Sequence, residues 1–166
     1  ERLSEAILAE LGALLRTPAL GAADRYRALA LRFELVVEFP ATSPEERRRA
    51  ASRMREAARE LGSTWAELDA ENSEAVAESD AGNFAEAVAR FDAVAARAGA
   101  RKLGTLSREA TLNAATTCLR AGRAAEAAAR TAALAETARA ASPRAASCSP
   151  RRERISARRS SASVAV

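Results

Sequence analysis

One stretch constrains this chain more than any other: Gly82-Asn83-Phe84-Ala85-Glu86-Ala87-Val88, continuing to Phe91. It returns forty residues later as Gly122-Arg123-Ala124-Ala125-Glu126-Ala127-Ala128. Each copy follows one helix-like segment and opens another. Glycine tolerates the positive φ that stops a helix, and the Glu-Ala behind it restarts one. Two such turns predict an all-α chain of about six or seven helices. Those helices fold back on one another as antiparallel hairpins stacked into a short α-solenoid.

Composition sets the quality of the core. Leu, Ile, Val and Phe together number 29 of 166 residues. So small a share, joined to a high net charge, marks a disordered chain. Here the formal net charge is only +4, and alanine is abundant. Alanine is the best helix former and lets helices approach closely. The chain therefore reads as an Ala-packed helical domain with a thin core.

Apolar spacing and capping residues divide the chain into segments. Leu3, Ile7, Leu11 and Leu14-Leu15 form a helical stripe that Thr17-Pro18 and Gly21 break. Asp24 reads as the cap of a second helix, through Tyr26, Leu29, Phe33 and Val36-Val37 to Phe39-Pro40. Ser43-Pro44-Glu45-Glu46 offers a capping hydroxyl, a proline at the first helical position and a glutamate three residues after the cap. That helix runs to Leu61-Gly62. Thr64 and Glu67 read as a second capping box, opening a helix with an apolar face through Trp65, Leu68 and Val76. Gly62 is either a break between two helices or a weak point in one long helix. Further helices are expected over Phe84–Ala98, ended by Gly99, from a Ser107 cap to Gly122, and over Ala124–Ala140, with a linker around Arg101–Thr105.

From Pro143 the character changes. Residues 143–166 hold six arginines and one glutamate among serines and alanines, so the basicity of the chain lies there. This tail is expected to be disordered, and its Ser/Arg/Ala bias resembles a shifted reading frame. The domain division is therefore 1–142 and 143–166. The first residue is Glu1 rather than Met, so the chain is expected to be a fragment or a processed product, with no signal peptide in it. The compartment, cytoplasmic or periplasmic, stays open.

Glycine, aromatic, Glu-Ala and second aromatic at Gly82, Phe84, Glu86-Ala87 and Phe91 resemble the turn and second helix of a tetratricopeptide repeat. Gly122, Glu126 and Ala127 match again, with Ala115 at the first helix's small position. Leu31 to Pro40, followed by Ser43-Pro44, looks like a repeat ending of bacterial envelope proteins of that family. The best matches are 64–98 and 106–140. The resemblance implies a scaffold that grips a protein or peptide on its groove, with Ala87, Phe84 and Phe91 as packing residues. Asn113 and Thr117, on the first helix of a hairpin, would contact the partner. The glycine spacing of 40 departs from the family period of about 34, which the Ala98–Thr105 linker would absorb. Glu71, Glu74 and Glu78 also stand where the family carries large core residues.

Those glutamates, with Glu67, fall at spacings of four, three and four and share one helix face. They either select a basic partner or form a ladder with Arg48, Arg55 and Arg59 of the preceding helix. The run Arg47-Arg48-Arg49 with Arg53, Arg55 and Arg59 is diluted by four glutamates, so phosphate binding by that helix is not expected. Arg151-Arg152, Arg154 and Arg158-Arg159 are less neutralised. They support an alternative function, salt-sensitive contact with nucleic acid or an anionic surface through the tail.

Chemistry has little to work with. Histidine is absent, which removes the commonest general base and metal ligand. Cys118 and Cys148 lack CxxC spacing, and Cys118 reads as a small buried hydrophobe. No nucleophile, Walker, dinucleotide or zinc motif occurs. Enzyme activity, a cofactor and a metal are accordingly not expected, and no apolar run is long enough to span a bilayer.

Overall fold

The computed structural model describes residues 2–39 and 42–141, so the basic segment 143–166 lies outside it. The described residues form seven helices and no strand. These are α1 (Arg2–Leu15), α2 (Ala22–Glu38), α3 (Pro44–Leu61), α4 (Thr64–Asp80), α5 (Phe84–Ala100), α6 (Gly104–Arg120) and α7 (Ala124–Ala141). Each packs on the next in sequence, and α4 also touches α2 on one side and α6 on the other. The even helices thus make one row and the odd helices cover it, a short solenoid of antiparallel hairpins.

Three turns share one hydrogen-bond pattern. Asn83 N donates to Glu78 O at 3.0 Å, Arg123 N to Cys118 O at 2.8 Å, and Leu103 N to Ala98 O at 2.9 Å. This bond satisfies a carbonyl left orphaned by the helix end, and it needs a left-handed residue just before the donor. Gly82 at φ 85° and Gly122 at φ 76° supply it. In the third turn Lys102 stands in that position at φ 61°. A side chain there costs about 1 kcal/mol, so Lys102→Gly is expected to raise the thermal midpoint by about 2–4 °C. A lowered midpoint would show that glycine's backbone entropy outweighs the strain.

Several expected caps shift. α2 begins at Ala22 behind Gly21, leaving Asp24 in the first turn rather than at the cap. Ser63, not Thr64, caps α4, accepting from Ala66 N at 3.4 Å. α6 begins at Gly104, so Ser107 caps nothing; its hydroxyl donates to the Ala95 carbonyl and ties α6 to α5. Gly99 does not end α5, which runs through it to Ala100. The Ser43–Glu46 capping box forms as expected, and Gly62 at φ 64° separates α3 from α4.

Fifteen of the 27 buried apolar residues are alanine. With so little side-chain volume between them, the helices lie close. The core divides into one cluster at α2–α4, two at α4–α6 and one at α5–α7, as expected where each layer touches only its neighbours. Phe91, Leu68, Val94 and Cys118 are the largest fully enclosed side chains. Trp65 departs from its expected place: it is 48% exposed, meeting Tyr26 edge-on with ring centroids 6.0 Å apart. The buried apolar face of α4 is instead Leu68 with Ala66, Ala70, Ala75 and Ala77.

A candidate peptide groove

The row α2–α4–α6 leaves a groove of about 250 Å3 along its face. Its floor is Ala30, Phe33, Val37, Met54 and Val76. Its rim carries Glu34 and Glu38 from α2, Asp69 from α4 and Glu109 from α6. No lysine or arginine lines it. Small-molecule pockets usually reach about 300–1,000 Å3 and enclose their ligand, so this shallow trough suits a chain lying along it. The four carboxylates do not converge into a metal-holding group among the described residues.

Hydrogen bonds fix the walls. The Tyr26 hydroxyl reaches Asp69 Oδ2 at 2.5 Å and the Ala66 carbonyl at 3.2 Å, joining α2 to α4. Asn72, nearly buried, donates to Glu109 Oε1 at 3.3 Å and accepts from Asn113 Nδ2 at 3.3 Å, joining α4 to α6. Burial pushes the Asp69 carboxyl up, partly offset by the tyrosine hydroxyl. Partial desolvation, then the like charges of Asp69 and Glu34, push Glu109 up as well. The groove therefore holds negative charge at a cost that a cation would relieve.

The residues singled out by sequence fall in three places. Asn113 lines the groove. Thr117 lies one turn further along α6 but is 2% exposed, hydrogen-bonded to Ser79 at 3.0 Å inside the α4–α6 contact. Glu71, Glu74 and Glu78 occupy the opposite side of α4. Arg48 of α3 holds Glu78 at 3.1 Å, and Arg55 bonds Glu74. From α5, Arg90 approaches Glu74 at 3.4 Å and Arg97 bonds Glu71. The expected ladder exists on Arg48 and Arg55; Arg59 is not part of it, and α5 supplies the remaining rungs.

These ion pairs explain why glutamates stand where large core residues were anticipated. α4 is flanked by α3 and α5, and arginines from both sides reach its carboxylates in place of apolar contact. Arg48, followed by Asn83, holds Glu78 below the usual carboxylate range. That side of α4 is neutralised; the groove side is not. Sequence reasoning missed Glu34, Glu38, Asp69 and Glu109 because they come from three helices and follow no linear spacing. Nothing in the linear sequence marks them as a set.

No family model, curated protein or solved structure matches the chain. No helix among the described residues is long and apolar enough to cross a membrane.

Proposed function

We propose that this chain is a non-catalytic protein–protein interaction scaffold of the tetratricopeptide type, holding a basic peptide along the α2–α4–α6 groove. The observation that carries the reading is a rim of four carboxylates with no basic residue lining the trough. Lysine or arginine side chains would meet Glu34, Glu38, Asp69 and Glu109 while apolar side chains settle on Phe33, Val37 and Val76. Asn113, half-buried and lining the groove, supplies an amide group for the peptide backbone, while buried Asn72 holds it in place. An acidic trough repels phosphate, so contact with nucleic acid would fall to residues 143–166.

The test is fluorescence anisotropy with a labelled Lys/Leu peptide on the full chain and on Glu34→Lys/Glu109→Lys. Both positions are exposed, so the variant folds. We expect the double variant to bind at least about tenfold more weakly, a loss of about 1.4 kcal/mol, and added salt to weaken the wild type. Binding requires ionised carboxylates. Because Glu109 and Asp69 titrate above the ordinary range, affinity is expected to fall on acidification earlier than for ordinary glutamate and aspartate. Equal binding by the double variant would sink the proposal.

A further inference from the structure

The hairpin register exposes a second surface, independent of the groove. α4 begins 42 residues after α2, and α6 begins 40 residues after α4. Position by position, Asn72 of α4 therefore corresponds to Leu112 of α6, and Ser79 to Leu119. In α4 these residues face the next even helix and are 3% and 2% exposed. Asn72 bonds Asn113, and Ser79 bonds Thr117. In α6 no further even helix follows among the described residues, and Leu112 and Leu119 are 50% and 59% exposed. They are the two most exposed large apolar side chains described. α7 beside them is thinly packed, burying only Ala127.

We infer that the outer edge of α6 is a docking slot for an amphipathic partner helix with carboxylates bracketing its apolar stripe. The established contacts, carried forward one step, define that partner. Tyr26 contacts Asp69 and Ala66 across α2–α4, and the residue at its register in α6 is Arg108. Asp80 pairs with Arg120 at 2.7 Å across α4–α6, and Arg120 itself stands at the register of Asp80. Two leucines are thus bracketed by two arginines. Arg108 has no ion-pair partner among the described residues. Arg120 uses Nη1 on Asp80 and Ser79, and its side chain is 43% exposed. An incoming helix would place apolar residues four apart opposite Leu112 and Leu119. By the Tyr26–Asp69 contact, one carboxylate four residues before the first would meet Arg108; by the Asp80–Arg120 contact, another three after the second would meet Arg120.

Two sources internal to the chain fit poorly. Residues 143–166 carry six arginines against one glutamate, so Arg108 and Arg120 repel them. α2 of a second copy presents most of the pattern, as Leu31, Leu35 and Glu38, with Arg27 where the first carboxylate belongs. In an intact copy, however, α1 packs on α2 as α3 packs on α4 and α5 on α6, so α1 fills the place α7 would need. A free helix meets no such obstacle.

The sequence of α2 with Arg27→Glu, which completes the pattern, makes a suitable probe. A labelled synthetic peptide of residues 22–38 carrying Arg27→Glu is titrated with the full chain, with Leu112→Glu/Leu119→Glu and with Arg108→Glu. The substituted positions are exposed, so the fold survives. We expect binding that each variant weakens at least about tenfold, and that the peptide with Arg27 retained and Glu38→Lys loses. Glu34→Lys/Glu109→Lys in the protein should leave it unchanged, separating this slot from the groove. Absence of binding, or equal binding by the Leu112/Leu119 variant, would overturn the inference. So would sedimentation showing that the full chain self-associates through these leucines, since the occupant would then be a second copy.

Discussion

Ala87→Trp unfolds the centre of the stack. Ala87 is completely buried among Ala75 of α4, Phe91 one turn along α5 and Ala114 of α6. At this point α4, α5 and α6 meet over alanine methyls, and the closeness of the three helices depends on there being nothing larger. An indole here must displace side chains of a site that is 0% exposed. Adding even a few methylenes to a packed core typically costs about 1–3 kcal/mol, and this substitution adds far more. We expect a loss of about 5 kcal/mol, against a total stability of about 5–15 kcal/mol for a domain. At about 2–4 °C per kcal/mol for a chain of this size, the thermal midpoint falls by about 10–20 °C, and residual helix melts without cooperativity. Ala85→Trp, two residues earlier on an exposed position of the same helix, is the control and should stay within about 0.5 kcal/mol. If both variants melt like the wild type, the three helices do not meet at Ala87.

That packing was legible before any coordinates, and the reason is local. Gly82 and Gly122 terminate helices through their own backbone freedom, and Ala87 and Phe91 sit at fixed offsets from Gly82. A feature encoded within ten residues survives being read in isolation. The Ser43 capping box was readable for the same reason. The third turn was obscured because Lys102 occupies a position where glycine was the expected sign. Ser107 looked like a cap because its hydroxyl type fits one; its actual acceptor, the Ala95 carbonyl, lies across the hairpin. Trp65 was assigned to the core on hydrophobicity, although α4 already buries alanines against α3 and Leu68 beside Val94 and Leu106, leaving the indole at the edge. The groove was the least legible feature. Its four carboxylates come from α2, α4 and α6, up to 75 residues apart from Glu34 to Glu109. Only the superposition of hairpins puts them on one rim. Glu71, Glu74 and Glu78 drew attention by their spacing, yet spacing alone could not tell a free acidic face from one matched by arginines on both flanking helices.

The other large expected effect is at Asp80, where charge rather than volume holds three helices. Its carboxylate is 11% exposed and takes Arg47 of α3 on Oδ2 and Arg120 of α6 on Oδ1, each at 2.7 Å. Arg47 is itself only 15% exposed; it donates to the Phe39 carbonyl at 3.2 Å, and its Nε has no acceptor. Arg120 is less dependent, since it also bonds Ser79 and lies 5.6 Å over the Phe84 ring. Asp80→Ala therefore strands Arg47 more than Arg120. Removing one member of a buried pair typically costs about 3–5 kcal/mol, because the other charge stays behind without compensation; residual exposure places this pair near about 3. Arg47→Met removes the charge together with the orphaned Nε and leaves Asp80 its second arginine, so we expect a loss of about 1 kcal/mol or less. The decisive variant is the double one. If the stranded charge is what Asp80→Ala costs, Arg47→Met added to it restores part of the stability, a coupling opposite in sign to simple addition. Urea unfolding of the four proteins reads this directly. A double variant less stable than Asp80→Ala alone would mean that the three-helix clamp is not electrostatic. A partial rescue would establish that one carboxylate at the end of α4 sets how α3 and α6 sit against it, and with them the far end of the groove.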